Sequence, residues 1–131
     1  MMQVPPFLLR RLYVKGSLRN VDGGFAFDLQ NSLGAGYAEE MLPLTIDGEE
    51  LSLDAVSFRV DGEAMTFRQV GPGQPFTLAM NKLVTIAASS HTLADGAHNI
   101  GLGFVVTGMG AMQFEVTDAI GAAAGDDADE T

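Results

Sequence analysis

The stretch Leu42–Val60, LPLTIDGEELSLDAVSFRV, decides how this sequence is read. Leu42, Leu44 and Ile46 recur at every second position, Asp47-Gly48 interrupts them, and Val56, Phe58 and Val60 resume the alternation after a short offset. A period of two marks strands with one buried face. Glycine enters the positive-φ region without steric cost, and Asp can hydrogen-bond its own backbone, so Asp47-Gly48 suits a tight turn. The spacing predicts a hairpin, with Leu42, Leu44 and Ile46 on one face.

The same pattern continues on both sides. Upstream, Leu12, Val14 and Leu18 share a face opposite Lys15, Ser17 and Arg19. A turn at Asn20–Gly24 follows, then Phe25, Phe27 and Leu29 on a second strand over 24–30. Downstream come a second Asp-Gly at Asp61-Gly62, a short apolar segment at Met65 and Phe67, and the loop Gly71–Pro75. Phe76, Leu78 and Met80 alternate, Asn81-Lys82 turns the chain, and a strand is expected from Leu83 to Ala88. The last pair has Ile100, Leu102, Phe104 and Val106 going out and Met112, Phe114 and Val116 returning after Gly108-Met109-Gly110.

No segment carries the i, i+3, i+4, i+7 pattern of an amphipathic helix. Eight or nine short strands with glycine turns between them place the chain in the all-β class. They suit a two-sheet antiparallel β-sandwich of the Ig-like or jelly-roll-like kind, although a closed barrel would alternate in the same way. Residues 1–11, with Pro5-Pro6, are expected as an extended N-terminal arm and residues 12–120 as the sandwich. Residues 121–131, GAAAGDDADET, lack β-formers and are expected as a disordered acidic tail.

With 131 residues, one domain with its own core is the default. There is no cysteine, so disulfides and thiolate chemistry are excluded and a reducing compartment is favoured. The formal charge of -10 speaks for solubility and against nucleic-acid or anionic-membrane partners, which need clustered Lys and Arg. The short apolar patch near the N-terminus precedes Arg10 and Arg11, the reverse of a signal peptide. No run approaches the roughly 18 apolar residues of a spanning helix. The cytoplasm is therefore the expected location.

Enzyme signatures are thin. No G-x-S-x-G elbow, no G-x-x-x-x-G-K-[ST] phosphate loop and no H-E-x-x-H helix occurs. His91 and His98 could join Asp95 around a metal, but Asp95-Gly96 is explained as a turn and His98 as a strand's first residue. Asp61, Glu63, Glu49 and Glu50 flank turns and read as solvated carboxylates, so no catalytic residue and no metal site are assigned. The irregular connection Asn31–Glu40 reads either as a sheet crossover or as a loop touching a partner or its active-site rim. The candidate residues of that loop are Asn31, Leu33, Gly34, Gly36, Tyr37, Glu39 and Glu40. Phe7, Leu8 and Leu9 of the arm need cover, from their own domain or from a partner.

Taken in order, Ser17–Leu29, Leu42–Leu51, Val56–Glu63 and Leu93–Phe104 resemble the small, β subunit of bacterial C-glycoside deglycosidases. The resemblance implies an accessory subunit of a hetero-oligomeric lyase that cleaves C-glycosides after oxidation to the 3-keto sugar. It implies a larger TIM-barrel-like catalytic partner that carries a divalent metal, Mn or Mg, and holds most of the substrate, with no cofactor on this chain. The rival readings are a stand-alone sandwich binding a carbohydrate or small ligand, and a structural homo-oligomer.

Overall fold

The computed structural model describes residues 6–31, 36–60, 62–78, 81–89, 92–106 and 108–120; the side chains of Pro6, Phe7 and Leu78 lie outside that description. The chain is an all-β sandwich of two antiparallel sheets; the alternation called for strands, and the division into two sheets decides against the closed barrel. The strands are β1 (Arg19–Val21), β2 (Gly24–Gln30), β3 (Gly36–Met41), β4 (Thr45–Ile46), β5 (Glu49–Glu50) and β6 (Val56–Val60). They continue with β7 (Glu63–Thr66), β8 (Phe76–Leu78), β9 (Leu83–Ser89), β10 (Gly96–Val106) and β11 (Gly110–Ile120). One sheet runs β1-β2-β9-β6-β7; the other runs β5-β4-β10-β3-β8, with β11 on the remaining edge of β10.

The two inner faces supply the core. Phe25, Phe27 and Leu29 of β2, Val84 and Ile86 of β9 and Val56 of β6 are buried from one sheet. Ile46, Ile100, Leu102, Phe104, Met112 and Phe114 are buried from the other. The last hairpin is in register from Gly96 opposite Ile120 to Val106 opposite Gly110, as the alternation of residues 100–116 predicts.

The stretch Leu42–Val60 is not one hairpin. Asp47 and Gly48 do turn the chain, both at positive φ (54° and 85°), which a two-residue hairpin connection requires. The strands they join are only Thr45–Ile46 and Glu49–Glu50. Val56–Val60 then crosses to the opposite sheet and pairs with β9, Phe58 opposite Ile86. Leu44 and Ile46 face the core, but Pro43 interrupts the phase, and Leu42 donates its amide to Gly103 while its side chain lies over that glycine. Alternation reports which face is buried, not which strand is the neighbour.

Two other segments differ from expectation. The N-terminal arm is not extended where it is described: Pro6–Leu9 form one helical turn, α1, and Arg10–Leu12 a 3-10 turn. A proline is compatible with the first position of a helix, where its missing N–H costs no bond. Leu9 and Leu12 are buried in this chain's own core, so Leu9 finds its cover within the domain. The expected first strand from Leu12 shrinks to Arg19–Val21. Residues 13–18 instead bridge the sheets, with Val14 donating to the Asp28 carbonyl and Tyr13 in an isolated bridge with Leu29. The opposite flank is closed by aromatics, Phe58 of one sheet lying 4.4 Å from Phe76 of the other and 6.4 Å from Phe67 of the 3-10 turn Phe67–Gln69. The acidic tail expected at 121–131 lies outside the described residues.

The tightest backbone approach is between β2 and β9 at Gly24, where a Cβ would run into the carbonyl oxygen of Ala88. Backbone cannot swing aside as a side chain can, so Gly24→Ala should destabilise the protein by about 3 kcal/mol in urea unfolding. Gly71→Ala, at a glycine with open space where a Cβ would sit, should stay within about 0.5 kcal/mol.

Candidate functional site

The chemistry-bearing side chains gather at one end of the sandwich. His98 and Asp118 sit opposite each other on β10 and β11. They occupy the same inward phase as Ile100 and Phe114, yet they are ionisable groups where the pattern calls for apolar ones. Each meets a partner from a distant part of the chain.

His98 is closed at both nitrogens. Nδ1–H donates to Asp47 Oδ2 and Nε2–H to the Ala94 carbonyl, both at 2.7 Å. Two acceptors require two N–H donors, so the imidazolium is the form this geometry holds. The Ala94 carbonyl and then the Asp47 carboxylate raise the His98 pKa above its usual value, against a smaller opposing effect of burial. Asp47 also accepts the Asn99 amide at 2.9 Å and donates its own amide to the Asn99 carbonyl at 2.7 Å. The turn between β4 and β5 is thereby fastened to the start of β10.

Asp118 fastens the N-terminal segment. Its Oδ2 accepts the Tyr13 hydroxyl at 2.6 Å, the Gly16 amide at 2.9 Å and the Leu18 amide at 3.4 Å. Burial, followed by the neighbouring carboxylate, pushes the Tyr13 phenol well above its ordinary range, so it stays a neutral donor. Nearby, Asn20 exchanges two bonds with the Leu93 backbone, at 2.8 and 2.9 Å, and holds the segment that presents the Ala94 carbonyl.

The sequence-stated candidates are dispersed. Asn31 is buried at the end of β2, whereas Gly36 onward is strand β3 in the other sheet and not a loop. Tyr37 is 60% exposed on β3, Glu40 is exposed and Glu39 half-buried. Leu33, Gly34 and His91 lie outside the described residues, and of the arm only Leu8, half-buried, and Leu9, buried, have described side chains. The His91–His98–Asp95 metal reading finds both His98 nitrogens already engaged, and no group of three His, Cys, Asp or Glu suited to a metal occurs among the described residues. Tyr13, Asp47 and Asp118 were missed. The available signal was Asp118 standing in the core phase of a strand.

Two open grooves adjoin along β11. One, of about 490 Å³, is lined by Arg10, Tyr13, Lys15, Asn99, Glu115, Val116 and Thr117. The other, of about 350 Å³, runs over Thr45, Gly101, Gly103 and Gln113 and shares Arg10 and Glu115 with the first. Arg10 Nε donates to the Glu115 carbonyl at 2.9 Å on the outer edge of β11.

These geometries set two expectations. A raised His98 pKa contributes stability that is fully present below the unfolded value of about 6.5 and is lost as pH rises through the higher folded value. Urea unfolding should therefore show stability falling from about pH 6.5 upward, and His98→Gln should remove that slope at a cost near 1 kcal/mol at pH 6, since Asp47 is half exposed. Tyr13→Phe should cost about 1 kcal/mol and Asp118→Ala more, roughly 2–3 kcal/mol, because it strips three donors of their acceptor.

Comparison with known proteins corrects the family resemblance. The segments that suggested a C-glycoside deglycosidase β subunit are strands and Asp-Gly turns, which any antiparallel sandwich needs. No curated protein matches the chain. The family model described as hydroxymethylglutaryl-CoA reductase, N-terminal domain, matches residues 8–121, from the arm to the end of β11. That match overturns the lyase-subunit reading, and on it this chain belongs to the hydroxymethylglutaryl-CoA reductase N-terminal domain family.

Proposed function

We propose that this chain is an accessory domain of a hydroxymethylglutaryl-CoA reductase system, acting through contact and stabilisation. The observation that carries this reading is the commitment of its reactive side chains to structure. His98 has no free nitrogen, Asp47 is shared between His98 and the β10 backbone, and Asp118 binds Tyr13 with two amides. A general base must reach the proton it removes. These groups are occupied by their own fold.

In this reading, reduction of the thioester takes place on another part of the protein or on a partner chain, and this sandwich supports it. The partner is the catalytic part of the reductase. A cytoplasmic location belongs to the same proposal and suits a chain without cysteine. Among the described residues no helix is long and apolar enough to cross a membrane.

The test is isolation of the protein from its own host under native conditions, with the assemblies weighed by mass spectrometry and assayed for reduction of hydroxymethylglutaryl-CoA. The expected result is a larger polypeptide, continuous with this chain or bound to it, whose activity or thermal stability falls when the sandwich is removed. Recovery of monomers or self-assemblies alone, with no reductase activity in the same fraction, would sink the proposal.

A further inference from the structure

The basic residues of this acidic chain are strongly segregated. Arg10, Arg11, Lys15 and Arg19, four of its seven bases, fall within ten residues that contain no acid. The fold does not leave this run loose. Arg10 is tied to the β11 backbone through Nε, and Tyr13, Gly16 and Leu18 are tied to Asp118. Arg19 is spent on Asp28, with which it makes paired bonds at 3.3 Å. Arg11 and Lys15 are exposed and meet no acidic side chain among the described residues.

From this arrangement we infer that the groove along β11 is a binding site for a phosphate-bearing small molecule. Arg10 and Lys15 line it together with the side chains of Asn99 and Thr117, and its volume of about 490 Å³ falls in the size range of small-molecule sites. A guanidinium, an ammonium, an amide and a hydroxyl share this one groove, with Asn99 and Thr117 as cross-strand partners, so it offers more donors and more charge than one Arg fork. That suits a multiply charged tetrahedral group better than a planar carboxylate, which a single Arg fork satisfies. The net charge of -10 does not veto it, because at physiological salt a charge beyond about 8 Å is largely screened. The local opponent is Glu115, which lines the same groove and weakens its attraction. This inference stands independently of the reductase reading.

The full-length chain should be titrated with inorganic pyrophosphate while backbone amide NMR shifts are followed. The amides of Lys15, Asn99 and Thr117 should move together and saturably. Lys15→Gln should weaken binding about two- to fivefold, the range of one exposed charge pair. Glu115→Gln should strengthen it by a similar factor, a gain that a damaged fold cannot imitate. Arg68→Gln, whose parent side chain is paired with Asp54 on a 3-10 turn, should leave binding unchanged. Equal affinity across the three variants, shifts spread evenly over Arg59, Arg68 and Lys82, or malonate binding as tightly as pyrophosphate would each overturn the assignment.

Discussion

Strand β10 is hydrogen-bonded along both edges, and the rest of the molecule depends on that. β11 follows it from Gly96 to Val106, while β4 and β3 share its other edge, Ile46 opposite Ile100 and Met41 opposite Phe104. Inward, Ile100, Leu102 and Phe104 anchor the core. Outward, Gly101 and Gly103 carry no side chain because Thr45, Leu42 and Gln113 already occupy the space a Cβ would take. A strand paired on both sides has no exposed edge to offer another chain. The exposed edge passes to β11, where Arg10 covers the Glu115 carbonyl.

Closure of the sandwich uses different chemistry on its two flanks. Beside β6 and β8 the seal is apolar, made by Phe58, Phe67 and Phe76. Beside β11 it is polar, made by Asp118 and residues 13–18, with Tyr13 contributing both a hydroxyl bond and a ring 5.5 Å from Phe27. A half-buried carboxylate loses part of its hydration and is best tolerated when its lone pairs are filled. Asp118 meets that condition by drawing in two backbone amides, and so sets the path of the segment that carries Lys15.

Legibility in the sequence followed interaction range. The facing of β2, β9, β10 and β11 and the turns at Asp47-Gly48 and Gly108–Gly110 are local properties of residue period and backbone freedom, and they could be read directly. Sheet membership is not local. Nothing within Leu42–Val60 says that Ile46 will pair with Ile100 and Phe58 with Ile86, because both partners lie far along the chain. The same holds for His98 with Asp47 and Tyr13 with Asp118, pairs separated by 51 and 105 residues. Turn-rich segments also misled the resemblance to C-glycoside deglycosidase subunits, since Asp-Gly corners recur wherever antiparallel strands reverse.

Net charge misleads for a related reason. A total of -10 is an average over the chain, whereas a ligand feels the charges within one screening length. Arg10 and Lys15 come to line one groove because two ties hold their segment against β11 beside Asn99 and Thr117: Arg10 to the Glu115 carbonyl, and Tyr13 and Gly16 to Asp118, more than a hundred residues away. Without the ties those side chains would sample many arrangements and pay conformational entropy to converge on an anion. With them, the segment that seals one flank of the core also presents Arg10 and Lys15 to solvent. The half-buried carboxylate that seals this flank thus also orders the segment carrying Lys15 beside the groove.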